Sequence, residues 1–414
     1  MPELSDEEQS AIAYLRSPVA IRERCQQVLA LAYSDQLPHF AYEARKLPEV
    51  VEYVAAIMRQ AYPRLDMPWH SRWRHFHAGG VDRMATLTQR LASLEQAERA
   101  RCCFDLVIPS VLLDAGAGTQ WRYHEAASNT AYGRSEGLAV ASLHLFLNGL
   151  FSSRRDRPWQ ADAQGLQRLT EARLAQALQV TSHNPLVGLS GRAALLRQLG
   201  AVMEGAPYYF GESEPRLGHL YDYLLAQTNG GVLQARHILL AVLDSLGPIW
   251  PGRVTLGGVN LGDVWRHSRV SGSGQTAGLI PFHKLSQWLT YSLIEPLEDA
   301  GVRVRGIEEL TGLAEYRNGG LLLDLGLLRP KHDEVLAHEQ PPDSEVIVEW
   351  RALTVVLLDQ IAEGVRATLG LSAYDCPLAK VLEGGTWRAG RQAARERRPD
   401  GSPPLRIVSD GTVF

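Results

Sequence analysis

From Pro281 onward the sequence PFHKLSQWLTYSLIEPLED sets Phe282, Leu285, Leu289 and Leu293 on one line and Lys284, Gln287, Tyr291 and Glu295 on another. Both lines advance in steps of three and four, the repeat of a helix face, and Pro281 suits a first helical position because it has no N–H to leave unpaired. A helix beginning at Pro281, with one apolar and one polar stripe, is therefore predicted. The same period recurs along the chain. DEEQSAIAYLRS follows Ser5 as an N-cap, and LPEVVEYVAAIMRQAY repeats the pattern. Gly200 is expected to stop an amphipathic helix, and Asn229-Gly230-Gly231 to cap another. Strand-like alternation is confined to GRVTLGGVNLGDVWRHSRVSGSG, which reads as a short strand or an irregular loop. The fold class expected is mostly α, a multi-helix architecture with minor β.

The chain has 414 residues, 45% hydrophobic and 21% charged, enough for a large core. It is expected to form a single large helical unit over 1–414, with an N-terminal helical part at 1–160, a second part at 161–370 and a tail at 371–414. That tail, Arg-rich and then Pro-rich, is expected to wrap the surface or an oligomer partner, so a homo-oligomer stays open. A net charge of −4 argues against nucleic-acid or membrane-surface partners and for a small-molecule substrate. No apolar run approaches the ~18 residues of a membrane span, and the four cysteines show no metal or disulfide spacing, which together fit a cytoplasmic protein. Neither GxxxxGK[ST] nor GxGxxG occurs, so no cofactor is expected.

Candidate chemistry gathers in a few stretches. Lys46, Lys284, Lys331 and Lys380 are the only lysines among many arginines. A lysine inside the aromatic, apolar run around Lys284 points to a need for a movable ammonium, with Gln287 one turn on. In LTGLAEYRNGG, Glu315 follows apolar residues that would desolvate it, beside Tyr316 and Arg317. A carboxylate site and an ordinary Glu–Arg pair at a helix end both fit. DAGAGTQWRYHE offers Asp114, small residues that let backbone approach a ligand, and Trp121 and Tyr123 either as pocket wall or as core. Ser135 is expected to cap a helix whose first turn holds Glu136, with Arg134 placed for an anion. Upstream of Lys284, Asp263 could reach a pocket from the Gly/Ser-rich segment. His70, His75 and His77 suggest a metal, but His75 and His77 point apart on a helix and no HExxH occurs; aromatic wall or structural histidines fit as well, and no metal is assigned.

The order PFHK-xx-Q, LTxxAEYR, DLGLL and EWRALTVVLLD resembles the C-terminal half of the queuosine salvage glycosylases. DAGAGxxWxY-HE, GRSEGLAVASL, GGTWRAGRQ and the terminal SDGTVF, with the stretches above, resemble the uracil-catabolism protein family over nearly the whole chain. These resemblances imply a glycosylase-like helical architecture for 161–370 and hydrolysis of an N-glycosidic bond. The expected substrate is an N-ribosylurea-type compound, with or without a 5′-phosphate, from which urea leaves. In that reading Glu315 stands where the salvage enzymes carry a shorter aspartate. Lys284 orients it or contacts sugar, Arg317 binds a substrate oxygen or phosphate, and Asp114 is a second carboxylate; Trp121, Tyr123, Arg134, Glu136, Gln287, Tyr316, Asp263 and His77 are binding candidates. A metal-dependent ureido or amide hydrolase and a non-catalytic pathway scaffold are the alternatives.

Overall fold

The computed structural model describes residues 4–114, 116–250 and 254–408; Ala115 of the DAGAG loop and the terminal SDGTVF lie outside the described residues. The fold is mostly α, with strands only as short two-stranded pairs among the described residues. The chain divides into two compact units. One comprises 4–70, 254–287 and 306–408; the other comprises 71–114, 116–250 and 288–305. Among the described residues no helix is long and apolar enough to cross a membrane.

The first unit is built on the helix Glu345–Leu369, whose 25 residues bury almost every side chain from Ile347 to Leu358. Such a run, buried on all sides, needs cover all round. The helices Pro18–Tyr33 and Leu47–Ala61 pack against it. Ser344 caps it by accepting from the Ile347 amide, and Gly370, at φ 68°, closes it in the left-handed conformation that glycine adopts freely. Arg22 pairs with Asp359 at 3.0 Å and donates to the carbonyls of Glu309 and Leu310, fastening the segment that leads to Glu315. Gly319 lies inside the helix Tyr316–Asp324, where a Cβ would come within 2.6 Å of the Trp350 ring. From the other side, the carbonyl of Arg317 rests on Gly390 of the helix Trp387–Arg397. Gly319 of LTGLAEYRNGG and Gly390 of GGTWRAGRQ are thus contact points that seat one short helix.

In the second unit the helix Gln96–Leu112 packs on Arg134–Leu147, and Ala163–Gln167 on Leu189–Glu204. Arg122–Glu125 and Thr130–Gly133 form an antiparallel hairpin, and Val232–Gln234 pairs in parallel with Arg303–Arg305. Glu125 anchors the hairpin: Arg83 donates to both its oxygens at 2.7 and 2.6 Å, and Ser128 and His144 add contacts at 2.6 and 2.8 Å.

Four local expectations change. The helix begins at Lys284, not Pro281, because Leu279–Pro281 is a strand paired with Val264–Arg266 and His283 takes a left-handed φ of 47°. Gly200 does not stop its helix; it is buried against the Ala163 carbonyl while the helix runs on to Glu204. Asn229-Gly230-Gly231 forms the turn into the strand Val232–Gln234, after the helix has closed at Gln227. Gly133, not Ser135, is the N-cap of Arg134–Leu147, because the Ser135 hydroxyl is drawn to Asp114.

The Arg83 hydrogen bonds hold the Glu125 pKa down at about 2 from an ordinary 4.5. A depressed carboxyl stabilises the fold above its unfolded value and loses that contribution as pH falls through its folded value. Glu125→Gln is therefore expected to lose on the order of 3 kcal/mol at neutral pH, with the deficit against wild type shrinking between pH 4.5 and about 2 in denaturant titrations.

Candidate active site

The first unit brings together Asp263, Lys284, Gln287, Glu315, Tyr316 and Arg317. Arg351, nearly two turns into the buried helix, donates through Nη1 to Asp263 Oδ1 at 2.7 Å and through Nη2 to Oδ2 at 2.8 Å. Its guanidinium lies 4.1 Å from the centre of the Phe282 ring, and its Nε donates to the Ala314 carbonyl at 3.3 Å. Asp263 also accepts from the indole N–H of Trp265, and from the Lys284 amide at 2.9 Å. With a cation and these donors around it, its carboxyl is held well below the usual carboxylate range even though burial opposes ionisation.

The backbone before Lys284 is correspondingly constrained. The amides of Phe282 and His283 both reach the Asp263 carbonyl, at 2.9 and 3.4 Å, and His283 bonds the Leu15 carbonyl through Nε2 at 2.9 Å. A buried histidine at positive φ is a costly conformation, of order 1–3 kcal/mol, which these contacts hold in place. One turn later, Gln287 is wholly buried and donates to Thr311 Oγ1 at 3.0 Å, so the helix carrying Lys284 is tied to the strand-like run leading into Glu315.

Glu315 is the N-cap of Tyr316–Asp324. Its Oε2 accepts from the Arg317 amide at 2.7 Å and its Oε1 from the Asn318 amide at 2.6 Å, so the longer side chain folds back over its own helix end. Burial raises its pKa above the ordinary glutamate range, outweighing the two amides and the positive charges of Lys284 and Arg317. Each oxygen keeps an acceptor position beyond the amide it takes. The result is a carboxylate fixed in direction, beside a lysine, with capacity for further hydrogen bonds. Arg317 itself turns inward; it is 5% exposed and donates to the Gly401 carbonyl at 2.8 Å, with its guanidinium 4.9 Å from the Tyr316 ring centre.

The second unit holds the other candidates. Asp114 follows Leu113, the C-cap of the helix Gln96–Leu112, and accepts from Ser135 Oγ at 2.5 Å and Arg72 Nη1 at 3.1 Å. His75 Nδ1 lies 3.0 Å from the same hydroxyl, and Arg72, wholly buried, also bonds Ser110 at 2.7 Å. Trp121 is completely buried with its indole N–H on the Leu178 carbonyl, which is the core alternative for this residue. Tyr123 stacks on His144 with ring centres 5.9 Å apart. Arg134 opens its helix at a φ of 54°, Glu136 sits half-buried in the same first turn, and His77 is exposed. The DAGAG loop is held by Arg192, whose buried guanidinium donates to the carbonyls of Leu113 and Gly116 at 3.1 Å each. His70 pairs with Glu383 at 3.0 Å in the first unit, and among the described residues no three His, Cys, Asp or Glu side chains converge as metal ligands.

Arg351, Arg72, Arg192 and Thr311 were not among the candidates read from the sequence. The available signal was an arginine or hydroxyl set in an otherwise apolar helical run, as in EWRALTVVLL.

Residues 14–414 match the family described as "Protein of unknown function (DUF1688)". The chain belongs to that family. It is 42% identical over 412 residues to Protein urg3 of Schizosaccharomyces pombe (strain 972 / ATCC 24843), covering 97% of this chain and 99% of the relative. It is 37% identical over 437 residues to Uracil catabolism protein 4 of Lachancea kluyveri, with the same coverage of each.

Burial raises the Glu315 carboxyl, and the positive charge of Lys284 opposes that rise. Lys284→Met should therefore shift the Glu315 titration further upward, read from the carboxyl carbon resonance assigned by its loss in Glu315→Gln. An unchanged midpoint would show that the ammonium does not act on this carboxylate.

Proposed function

We propose that the protein is an N-glycoside hydrolase of uracil catabolism, cleaving the ribosyl C1–N bond of an N-ribosylurea-type compound to release urea. The observation that carries this reading is Glu315: a carboxylate of raised pKa, fixed by two backbone amides and set near a lysine. The names of two relatives that match along nearly their whole lengths support the pathway. The bond type rests on the motif resemblance of PFHK-xx-Q and LTxxAEYR alone.

Breaking C1–N builds positive charge on the sugar ring, which a carboxylate near C1 stabilises or relieves by delivering water. An elevated pKa makes Glu315, once ionised, a stronger base than an exposed glutamate, and its amide bonds keep it aimed while it works. Taking a proton from water leaves neutral Glu315, the form that burial favours, and the resulting hydroxide bonds to C1 as the C1–N electron pair departs onto nitrogen. The leaving ureido nitrogen needs one proton, and the Lys284 ammonium is the donor class the site offers. If the substrate carries a 5′-phosphate, Arg317, in the first turn after Glu315 and in the same unit, is the cation for it.

Glu315→Gln is expected to keep the fold and lower urea release from ribosylurea or its 5′-phosphate by at least about 10²-fold, the scale of a positioned acid or base. Near-normal turnover in that variant would remove Glu315 from the chemistry. Arg317→Ala should raise KM for the phosphorylated compound and leave the unphosphorylated one almost unchanged; equal effects on both would place any phosphate elsewhere.

A further inference from the structure

Asp263 is among the binding candidates, yet it has no capacity left for a substrate. A carboxylate offers about four acceptor positions. Arg351 Nη1 and the Trp265 indole fill those of Oδ1, and Arg351 Nη2 and the Lys284 amide fill those of Oδ2. Every one of these donors belongs to the protein. Glu315 differs in this respect: among the described residues two backbone amides are seen to reach it, one on each oxygen.

The donors also say what Asp263 is for. One is the main chain of Lys284, and the cation that neutralises Asp263 extends its Nε to the carbonyl of Ala314, the residue before Glu315. The two groups that the hydrolase reading relies on sit 31 residues apart in sequence, and a single ion pair grips the backbone at both. We propose that Asp263 and Arg351 are a positioning pair, which sets the Lys284 ammonium against the Glu315 carboxylate without touching substrate. This inference rests on the hydrolase reading for its catalytic meaning. The charged groups facing Glu315 are Lys284 at the start of its helix and Arg317 in the first turn after Glu315, and the pair acts on the first of them through the main chain.

A bidentate guanidinium gives direction as well as charge, and an ammonium in its place keeps only the charge. Arg351→Lys should therefore lower kcat by about tenfold or more with KM within about threefold, because misplacement by an ångström is enough for losses of this size. It should also raise the Glu315 titration midpoint, as Lys284 loses its fixed place. Removing one partner alone strands a buried charge, so the double variant Asp263→Asn/Arg351→Gln, which leaves none, is measured beside it. A role in stability alone would lower the melting temperature of both variants while the Glu315 midpoint stayed at the wild-type value. That result in folded protein overturns the proposal. The midpoint is read without turnover, so it separates the two ideas: normal turnover in Glu315→Gln sinks the hydrolase reading, whereas an unmoved midpoint with inactive Glu315→Gln sinks the positioning pair alone.

Discussion

The buried ion pair between Arg351 and Asp263 sets the geometry of the first unit around its candidate site. Arg351 is 1% exposed, so its charge is affordable only because Asp263 meets it with both oxygens and the Phe282 ring and Ala314 carbonyl take up the remaining faces. An ion pair of this kind adds little net stability compared with well-packed apolar side chains, but losing one partner costs about 3–5 kcal/mol. It therefore punishes alternatives more than it rewards the native state. The left-handed turn at His283 makes sense in that light: the chain accepts local strain there because the surrounding donors to Asp263 admit no other path from the strand Leu279–Pro281 into the helix.

Helical character was legible because it is written in short-range periodicity, which survives in almost any tertiary context. The expected helix at Lys284 exists, and so does the cap at Ser5, whose hydroxyl and Glu8 form a capping box. The misplaced boundaries have a common cause. Pro281 looked like a first helical residue, but strand pairing with Val264 claims it; Gly200 looked like a stop, but it admits the Ala163 backbone; Ser135 looked like a cap, but Asp114 offers its hydroxyl a charged acceptor. In each case a long-range partner outbid the local preference, and a single sequence contains no record of that partner.

Site residues divide in the same way. Glu315 and Lys284 could be singled out, one by apolar neighbours that would desolvate it and the other by the scarcity of its kind. Their surroundings could not. Arg351 lies some 36 positions after Glu315 in EWRALTVVLLD, a stretch that carried the resemblance but gave no role to its arginine, and Thr311 is an unremarked hydroxyl until Gln287 is seen bonded to it. Aromatic residues misled in the opposite direction. Trp121 carries the features of a pocket wall, but a tryptophan whose N–H finds a backbone carbonyl is equally content in the core, and Leu178 provides one. The second unit repeats the lesson with arginine: Arg72, Arg83 and Arg192 are all buried and donate to carboxylates, hydroxyls and main-chain carbonyls.

Placing glutamate rather than aspartate at the start of Tyr316–Asp324 has a physical consequence for any chemistry at this position. A short N-cap side chain reaches the amides two and three residues on with little freedom in its direction. The extra methylene of Glu315 lets each oxygen take a separate amide, at 2.7 and 2.6 Å, so the carboxylate is held across both oxygens instead of pivoting on one. Two amides and a helix dipole favour its charged form, and burial opposes it more strongly. Such a group is rigid and directed, and it is readier to accept a proton than a glutamate in water. An oxocarbenium-like transition state calls for these same properties, since charge develops at one ring carbon and a base that wandered would lose the benefit of being near it.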